Sequence, residues 1–319
     1  MISELKKLRE LCISVPPEAE WWNEEVKDIQ NELCDLENLQ TLRWYLPTNE
    51  VLQQFLLLER NQVPIFTNLS NLMLTIGQPA RLISCLPRGI EMKFDEFKRC
   101  LKWIHAEGGM DDVSKILVSV EALFLFRHWT LEKLSTSNLI KLKYCLLAER
   151  NEMETFVNAS GPSEYVETRT RDGEKVGLEL LQYLSIHHMY KLQSIWKGAI
   201  GKDSLSKLKI LALHTCPQLT SIFSPRFAQN LLCLTELIVE DCPKVISLIS
   251  SEYHNVKHGP IFPSLERIFL LCLPELVNIF GGLYVLEEFN TLLIYNCLKL
   301  RLSIMELPHI KKIEGENEW

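Results

Sequence analysis

One short motif recurs along the chain and constrains its fold more than any other feature of the sequence. Its clearest copy occupies residues 208–222 and reads LxxLxLxxCxxLxxI. Leu211 and Leu213 share one face of an extended segment, because alternate side chains of a strand point to the same side. The pair Cys216 and Pro217 is predicted to end the strand, since proline has no N–H to donate to a sheet. One such unit cannot bury its own apolar face, so it needs copies stacked on both sides.

Eleven copies of the motif follow one another along the chain. The first core-facing residue of each copy is Leu11, Leu42, Leu72, Leu101, Leu123, Cys145, Leu184, Leu211, Leu237, Ile268 or Leu292. Successive copies are 22 to 39 residues apart, which fits leucine-rich repeats of roughly 20–29 residues with insertions. The sequence therefore predicts an α/β solenoid, a leucine-rich-repeat horseshoe with a concave parallel β-sheet and an irregular or short-helical convex side.

The repeats predict a single array over residues 1–319. Its predicted parts are N-terminal repeats (1–76), an irregular repeat (77–115), regular repeats (116–300, with a polar surface loop at 158–177) and a C-terminal cap (301–319). In the acidic stretch before the second copy, Trp22, Val26, Ile29 and Leu33 fall on one helical face, which predicts a helix on the convex side. No capping segment precedes the first copy, so we expect the chain to be part of a longer protein.

Composition and cysteine placement favour a protein of a reducing compartment. The hydrophobic content of 47% is sufficient for a continuous core. The net charge of −7 differs from the overall positive charge that is typical of nucleic-acid-binding domains. No apolar run approaches the roughly 18 residues of a membrane span. The ten cysteines form no CxxC pair. Cys216, Cys242 and Cys297 occupy the same motif position, so we expect buried, reduced thiols and a cytoplasmic location.

No stretch of the sequence carries a motif for catalysis or for binding a metal or cofactor. Residues 197–203 resemble a phosphate-binding loop but place only two residues between the glycines and lack the hydroxyl residue that contacts the metal ion. His254 and His258 have metal-ligand spacing, but no third ligand lies in frame. We therefore expect neither catalytic activity, nor a metal, nor a cofactor in this chain.

Two copies of the motif resemble a known family. The segments LALHTCPQLTSIF (211–223) and LIVEDCPKV (237–245) resemble the C-terminal repeats of plant coiled-coil, nucleotide-binding, leucine-rich-repeat disease resistance proteins, which are intracellular immune receptors. The segments LQTLRWYLP (39–47) and IKKIEGENEW (310–319) are similar to mid-array and terminal segments of that family. The resemblance covers essentially the whole chain.

The resemblance implies that the chain is a sensor and autoinhibitory module without chemistry of its own. Its expected partners are proteins: the receptor's own nucleotide-binding domain, a pathogen effector or a guarded host protein. ATP or ADP is expected only in a nucleotide-binding domain upstream of this chain, and nucleotide hydrolysis only in the intact parent. The alternative is a leucine-rich-repeat substrate adaptor or scaffold of the ubiquitin-ligase type. An extracellular receptor domain would instead require LxGxIP repeats and paired capping cysteines.

The residue between the two core positions of each copy predicts where a partner docks, because it points outward onto the concave face. In the later copies these residues are Phe124, Leu146, Ser185, Ala212, Ile238, Phe269 and Leu293, nearly all apolar, whereas the earlier copies offer Cys12, Arg43, Met73 and Lys102. A contiguous apolar stripe marks an interaction site unless neighbouring side chains or the loop at 158–177 cover it. The polar rim predicted to set specificity comprises His187, His214, Glu240, Asp241, Tyr295 and Asn296.

Overall fold

A computed structural model of the chain has two compact units, Met1–Thr130 and Leu131–Trp319. It describes residues 2–15, 21–33, 35–59, 69–77, 96–105, 114–127, 139–149, 152–159, 178–198, 203–250, 261–280, 289–301 and 310–315. Much of the predicted irregular repeat (77–115), nearly all of the predicted loop (158–177) and much of the predicted cap (301–319) lie outside these residues. None of the described helices is long and apolar enough to cross a membrane.

The first unit contains a parallel sheet whose strands follow one another in chain order. Its strands are β1 (Glu10–Ile13), β2 (Thr41–Leu46), β3 (Asn71–Gly77), β4 (Arg99–Ile104) and β5 (Ala122–Phe126). A 3₁₀ turn (Ile2–Glu4) precedes β1, and the connections hold the helices α1 (Trp22–Leu33), α2 (Asn49–Glu59) and α3 (Ser114–Leu117). Parallel neighbours require such crossovers, because a tight turn cannot join two parallel strands.

Helix α1 confirms the helix predicted from the spacing of its apolar residues. Trp22, Val26 and Leu33 are buried, while the acidic side chains at Glu24 and Glu25 are exposed. The indole N–H of Trp22 donates to the backbone carbonyl of Tyr45 over 3.1 Å. This bond ties the helix to the end of β2, so the acidic stretch serves as the solvent-facing cover of a repeat.

Strand pairing in the first unit matches the predicted register except between β3 and β4. Leu11 pairs with Leu42, and Leu42 pairs with Leu72, as the motif predicts. On the next strand, however, Leu101 pairs with Leu74 instead of Leu72. The prediction was therefore wrong by two residues there, because β3 is seven residues long and offers a third core residue, Ile76, that pairs with Trp103. Since side chains alternate with a period of two, the core face is unchanged.

The second unit contains a parallel sheet and two pairs of short strands. Its strands are β6 (Tyr144–Ala148), β7 (Thr155–Ala159), β8 (Tyr183–His187), β9 (Ser194–Gly198), β10 (Ile210–His214), β11 (Ser221–Phe223), β12 (Glu236–Glu240), β13 (Ser247–Ile249), β14 (Arg267–Leu271), β15 (Thr291–Tyr295) and β16 (Lys312–Gly315). The sheet has the order β6-β8-β10-β12-β14-β15-β16. Every residue predicted to face its core is buried: Leu211, Leu213, Leu237, Val239, Ile268, Leu270, Leu292 and Ile294.

The connections of the second unit carry short strands as well as a helix. Strand β7 pairs in parallel with β9, and β11 pairs in parallel with β13. Helix α4 (Pro225–Asn230) begins after Ser224, whose hydroxyl accepts a hydrogen bond from the amide of Phe227. The sequence predicted irregular or short-helical connections here. Stacked repeats place the same segment of each connection side by side, so extended segments in this layer come within pairing distance.

A left-handed residue follows most strands of the two sheets and starts the bend. These residues are His105, Arg127, Glu149, His188, Thr215, Asp241, Cys272 and Asn296, with φ between 47° and 55°. The strand of the clearest motif copy thus ends at His214, ahead of the predicted Cys216–Pro217 pair. The amides that donate to the neighbouring repeat are those of His105, Glu149, His188, Thr215, Asp241 and Cys272; that of Thr215, for example, donates to the carbonyl of Glu240 over 2.9 Å. The bend is therefore also a backbone link between repeats.

The buried cysteines that follow the bends bond to the backbone and to each other. The thiol of Cys216 donates to the carbonyl of His214 over 3.6 Å, and that of Cys242 to the carbonyl of Glu240 over 3.4 Å. A hydrogen bond with Cys242, together with burial, raises the pKa of Cys216 well above its usual value. The position therefore selects cysteine for a small buried group with a weak donor.

Truncating a core leucine is expected to destabilise the second unit strongly. Replacement of the fully buried Leu213 by alanine removes buried surface and leaves a cavity, so the free energy of unfolding should fall by roughly 2–5 kcal/mol. Leu298 is 80% exposed and serves as the matched control, whose alanine variant should change stability by less than about 0.5 kcal/mol. Urea unfolding followed by circular dichroism measures both. Equal losses would refute the assignment of the core.

The bend residues predict a pair of substitutions with opposite effects. Thr215 and Asn296 both have φ of 53°, but a β-branched residue is strained in this conformation and asparagine adopts it readily. Thr215→Asn should therefore raise the free energy of unfolding, and Asn296→Thr should lower it, each by about 1 kcal/mol. Thermal melting of both variants tests this expectation. The same sign of change in both variants would contradict it.

Candidate protein-interaction surface

Each five-residue strand of the sheet in the second unit presents three residues on the face opposite the core, which we call the outward face. Strand alternation assigns the first, third and fifth residue of a five-residue strand to this face. The predicted stripe forms its middle row, in which the register pairs each residue with the next: Leu146, Ser185, Ala212, Ile238, Phe269 and Leu293. The fold thus places these residues side by side.

Four residues of the predicted stripe are buried, so the expectation that they are exposed was wrong. Phe124, Leu146, Ser185 and Ala212 are each at most 2% exposed. Phe124 lies in the first unit, where it stacks on Phe126 with ring centroids 6.0 Å apart. The other three lie in the middle row of the second unit, next to strands that carry large rings on the same face.

Two stacked ring pairs flank the buried part of the middle row. Tyr144 and Tyr183 stack with centroids 4.2 Å apart, and their ring planes differ by 3°. His187 and His214 stack at 4.3 Å with an angle of 6°. Ser185 lies between the two pairs, and its hydroxyl is 2.6 Å from Nε2 of His187. The predicted rim residue His187 is therefore buried, because stacking and the serine contact hold its ring against the sheet.

Burial decides the protonation of this histidine pair. Burial, and secondarily the nearby charges of His214 and His188, lowers the pKa of His187 to about 3. Burial also lowers the pKa of His214, although its hydrogen bond with Glu240 opposes that shift. His187 is consequently neutral at pH 7. Ser185 and His187 have the contact of a nucleophile and its base, but both are closed to solvent, so a substrate has no access to the hydroxyl.

The outward face becomes accessible from β12 onward. Ile238, Phe269 and Leu293 are half-buried neighbours in the middle row. Beside them lie Leu271, which is also half-buried, and Tyr295, which is 51% exposed. These five residues form one continuous surface on three adjacent strands, which we call the apolar patch. An exposed cluster of this kind is typical of a protein contact.

Polar pairs border the apolar patch on both sides. Arg267 donates to the carboxylate of Glu236 over 2.8 Å across β12 and β14. On the other border, Nδ1 of His214 lies 2.8 Å from the carboxylate of Glu240. The remaining predicted rim residues, Asp241 and Asn296, are exposed at the bends directly after their strands. Polar groups around an apolar centre give the composition expected of a binding interface.

Sequence reasoning included the last residue of several strands in the rim but missed the first residue of each strand and the last residue of β14 as members of this surface. Glu236, Arg267 and Leu271 occupy those positions and share the outward face with the middle row. The period-two alternation that identified the middle residue also marks these residues two positions away. Within the described residues, no group of three or more His, Cys, Asp or Glu side chains is placed to hold a metal ion.

Comparisons with known proteins agree with this architecture. The family model for the leucine-rich repeats of plant disease resistance proteins similar to RPS2 matches residues 151–243. The leucine-rich repeat domain of the type III effector XopL is similar in structure, with a TM-score of 0.51 and 18% identity, over 95% of this chain and 96% of that one. The chain contains a leucine-rich-repeat domain. Its fold is that of an α/β leucine-rich-repeat solenoid, as the sequence predicts.

Further comparisons add little to this assignment. The structure of TLR13 in complex with ssRNA13 has 14% identity and a TM-score of 0.34, over 99% of this chain and 55% of that one, a likeness too low to support an inference. No curated protein sequence matches the chain. The family match includes β8, β10 and β12, and therefore His214 and Ile238 of the surface. Leucine-rich-repeat domains mediate protein binding, so the chain is a protein-interaction module.

The histidine pair makes stability depend on pH. The pKa of His187 falls from 6.5 in the unfolded chain to about 3 in the folded one, so protons bind the unfolded state more tightly. Its contribution to stability is complete above pH 6.5 and is lost as the pH falls toward 3. Between pH 7 and pH 5 this loss amounts to about 2 kcal/mol.

Urea unfolding at both pH values measures the loss. His187→Phe keeps an aromatic ring beside His214 but cannot titrate, so it should lose much less stability than the wild type on acidification. His188→Asn is the control, because this residue is partly exposed and lies at a left-handed bend that asparagine tolerates. It should retain nearly the full loss. A wild-type protein equally stable at pH 7 and pH 5 would contradict the burial of His187.

Proposed function

We propose that the chain is the sensor or autoinhibitory leucine-rich-repeat module of a cytoplasmic plant immune receptor, and that it binds a protein through the apolar patch without catalysing a reaction. The main observation in support of this proposal is the exposure of the patch. Ile238, Phe269 and Leu293 are accessible, whereas the residues at the same position on β6, β8 and β10 are buried. The family match over residues 151–243 supports the immune context. The sequence resemblance of the Cys-Pro repeats supports it as well.

Affinity would come from the apolar patch and orientation from its borders. Covering a large aromatic side chain in a water-excluded contact contributes on the order of 2 kcal/mol to a complex. Phe269 and Tyr295 offer two such groups on neighbouring strands. The pair of Arg267 and Glu236 is partly exposed, so a partner can compete for either charge without first breaking a buried ion pair. Such rim charges select among partners more than they add affinity.

The partner is the receptor's own nucleotide-binding domain, a pathogen effector or a guarded host protein. In such a receptor, the ATP or ADP would be bound by the nucleotide-binding domain. In the autoinhibitory role, the patch would hold that domain in its inactive state. In the sensor role, an incoming protein would compete for the same side chains. Both roles use one surface, so substitutions there should affect both.

The test places a charge in the apolar patch of the full-length parent receptor. Ile238→Glu and Phe269→Glu should leave the fold intact, because both side chains are only half-buried. They should weaken binding of the patch's partner at least tenfold, which corresponds to the loss of about 1.4 kcal/mol. Expression in leaves should then show cell death without a pathogen, or lost recognition. Binding between the purified nucleotide-binding domain and this chain gives the direct measurement.

Ile246→Glu is the matched control. Ile246 is 52% exposed and lies in a connection outside the strands of the main sheet, so its replacement should change neither binding nor signalling. Unfolding of both patch variants would show that the patch belongs to the core. Folded variants with normal signalling would refute the patch as the docking surface. Altered ubiquitination of a bound protein, without a change in cell death, would favour the substrate-adaptor alternative.

A further inference from the structure

A groove of about 270 Å³ lies on the outward face of the first unit. Four strands contribute to it, β1 through β4, and its lining includes Cys12, Ser14, Arg43, Tyr45, Thr75 and Lys102. The register places Arg43 beside Met73, and Met73 beside Cys100, in one row across the sheet. Tyr45, Thr75 and Lys102 form the next row. The groove is thus built from side chains that the strands hold at set positions.

The charges in the groove are of one sign. Among the residues that the structure describes, Arg43 and Lys102 line it, and no aspartate or glutamate does so. Arg43 is exposed, and among the described residues its guanidinium makes no ion pair or hydrogen bond. Glu10 lies on the neighbouring strand β1, but it pairs with Thr41, whereas Arg43 pairs with Cys12. The described lining of the groove thus carries positive charge, although the chain as a whole has a net charge of −7.

The two cations can act on one ligand. Arg43 lies on β2 and Lys102 on β4, two strands away and two residues further along the strand direction. At ordinary strand spacing, their Cα atoms are therefore about 12 Å apart. Both side chains are long enough to meet between those positions. The hydroxyls of Ser14 and Thr75 add neutral donors, and burial raises the pKa of Tyr45, which keeps its hydroxyl protonated as a third. These donors suit the oxygens of a carboxylate.

The rest of the groove is apolar, which narrows the class of ligand. Met73 and the buried Cys100 lie in the row that contains Arg43. A ligand that fills the groove therefore combines an anionic group with an apolar part, as a short stretch of peptide does. The overall negative charge opposes a polyphosphate chain, because nucleic-acid binding depends on many cationic contacts.

We propose that this groove binds an acidic segment of a protein partner, with a glutamate or aspartate side chain held between Arg43 and Lys102. The site lies in the first unit and is made by other residues than the apolar patch of the second unit. It consequently gives the module a second contact, selected by charge. The binding of such a segment does not depend on the immune role proposed above.

Direct binding of a defined peptide tests the proposal. The probe is a fluorescein-labelled six-residue peptide of alternating glutamate and alanine, and the full chain is titrated into it while fluorescence anisotropy is recorded. We expect saturable binding that weakens with added salt. Arg43→Gln and Lys102→Gln should each weaken it about tenfold, the effect of losing one charge-assisted contact. Arg43→Lys should retain most of the affinity, because it keeps the positive charge.

Three controls make the result decisive. Arg226→Gln removes an equally exposed arginine on α4 and should leave binding unchanged, as should Ile238→Glu in the apolar patch. The glutamine version of the peptide should bind at least tenfold more weakly than the glutamate version. Circular dichroism verifies that each variant is folded. If Arg43→Gln unfolds, the peptide affinities of Lys102→Gln and Arg43→Lys test the proposal instead. Lys102→Gln should then bind the peptide about tenfold more weakly than Arg43→Lys does.

Some outcomes would overturn the proposal. Equal weakening by Arg43→Gln and Arg226→Gln would show a general charge effect without a site. Equal binding of the glutamate and glutamine peptides would remove the role of the carboxylate. Displacement of the peptide by a short oligodeoxythymidine at matched concentration would assign the groove to nucleic acid instead of a protein segment.

Discussion

The backbone of each repeat finds its hydrogen-bond partners in the neighbouring repeats, and the rest of the structure depends on this pairing. Parallel strands in register give one such link, and the left-handed bend residues give another, as the bond from Thr215 to Glu240 shows. Leucines on the core face are buried by the same stacking. Stacking of the repeats therefore provides both the burial of the leucines and the pairing of the backbone. A single repeat cannot achieve either one by itself.

Because the buried leucines of the core face stabilise the fold, the side chains of the outward face need not be packed in the same way on every strand. The two units use that freedom in different ways. In the second unit the outward face passes from a buried cluster around His187 to the accessible patch around Phe269. In the first unit it carries the basic groove with Arg43. Where the residues between the leucines remain exposed, they can therefore vary at less cost in stability than the leucines themselves.

The buried cluster shows how a surface position becomes structural. Ser185, His187 and His214 would be accessible on an isolated strand, but in the sheet Ser185 and His187 are buried, and His214, stacked on His187, is half-buried. Burial then keeps His187 neutral. The ring therefore serves to pack against its neighbours, and a substrate cannot reach it. The contact of Ser185 with His187, which resembles a catalytic pair, is consequently a packing contact within β8, and its measurable effect is a dependence of stability on pH.

The sequence by itself determined the repeat, the core residues and the face on which every strand residue lies. These follow from local periodicity: Leu211 and Leu213 must share a face whatever lies beside them. The helix around Val26 was predictable for the same reason. Tertiary structure decided the two-residue offset between β3 and β4, the short strands of the connections and the burial of Leu146, Ser185 and Ala212. Periodicity belongs to a single strand, whereas register and exposure depend on the lengths and sizes of its neighbours, which meet only when the repeats stack.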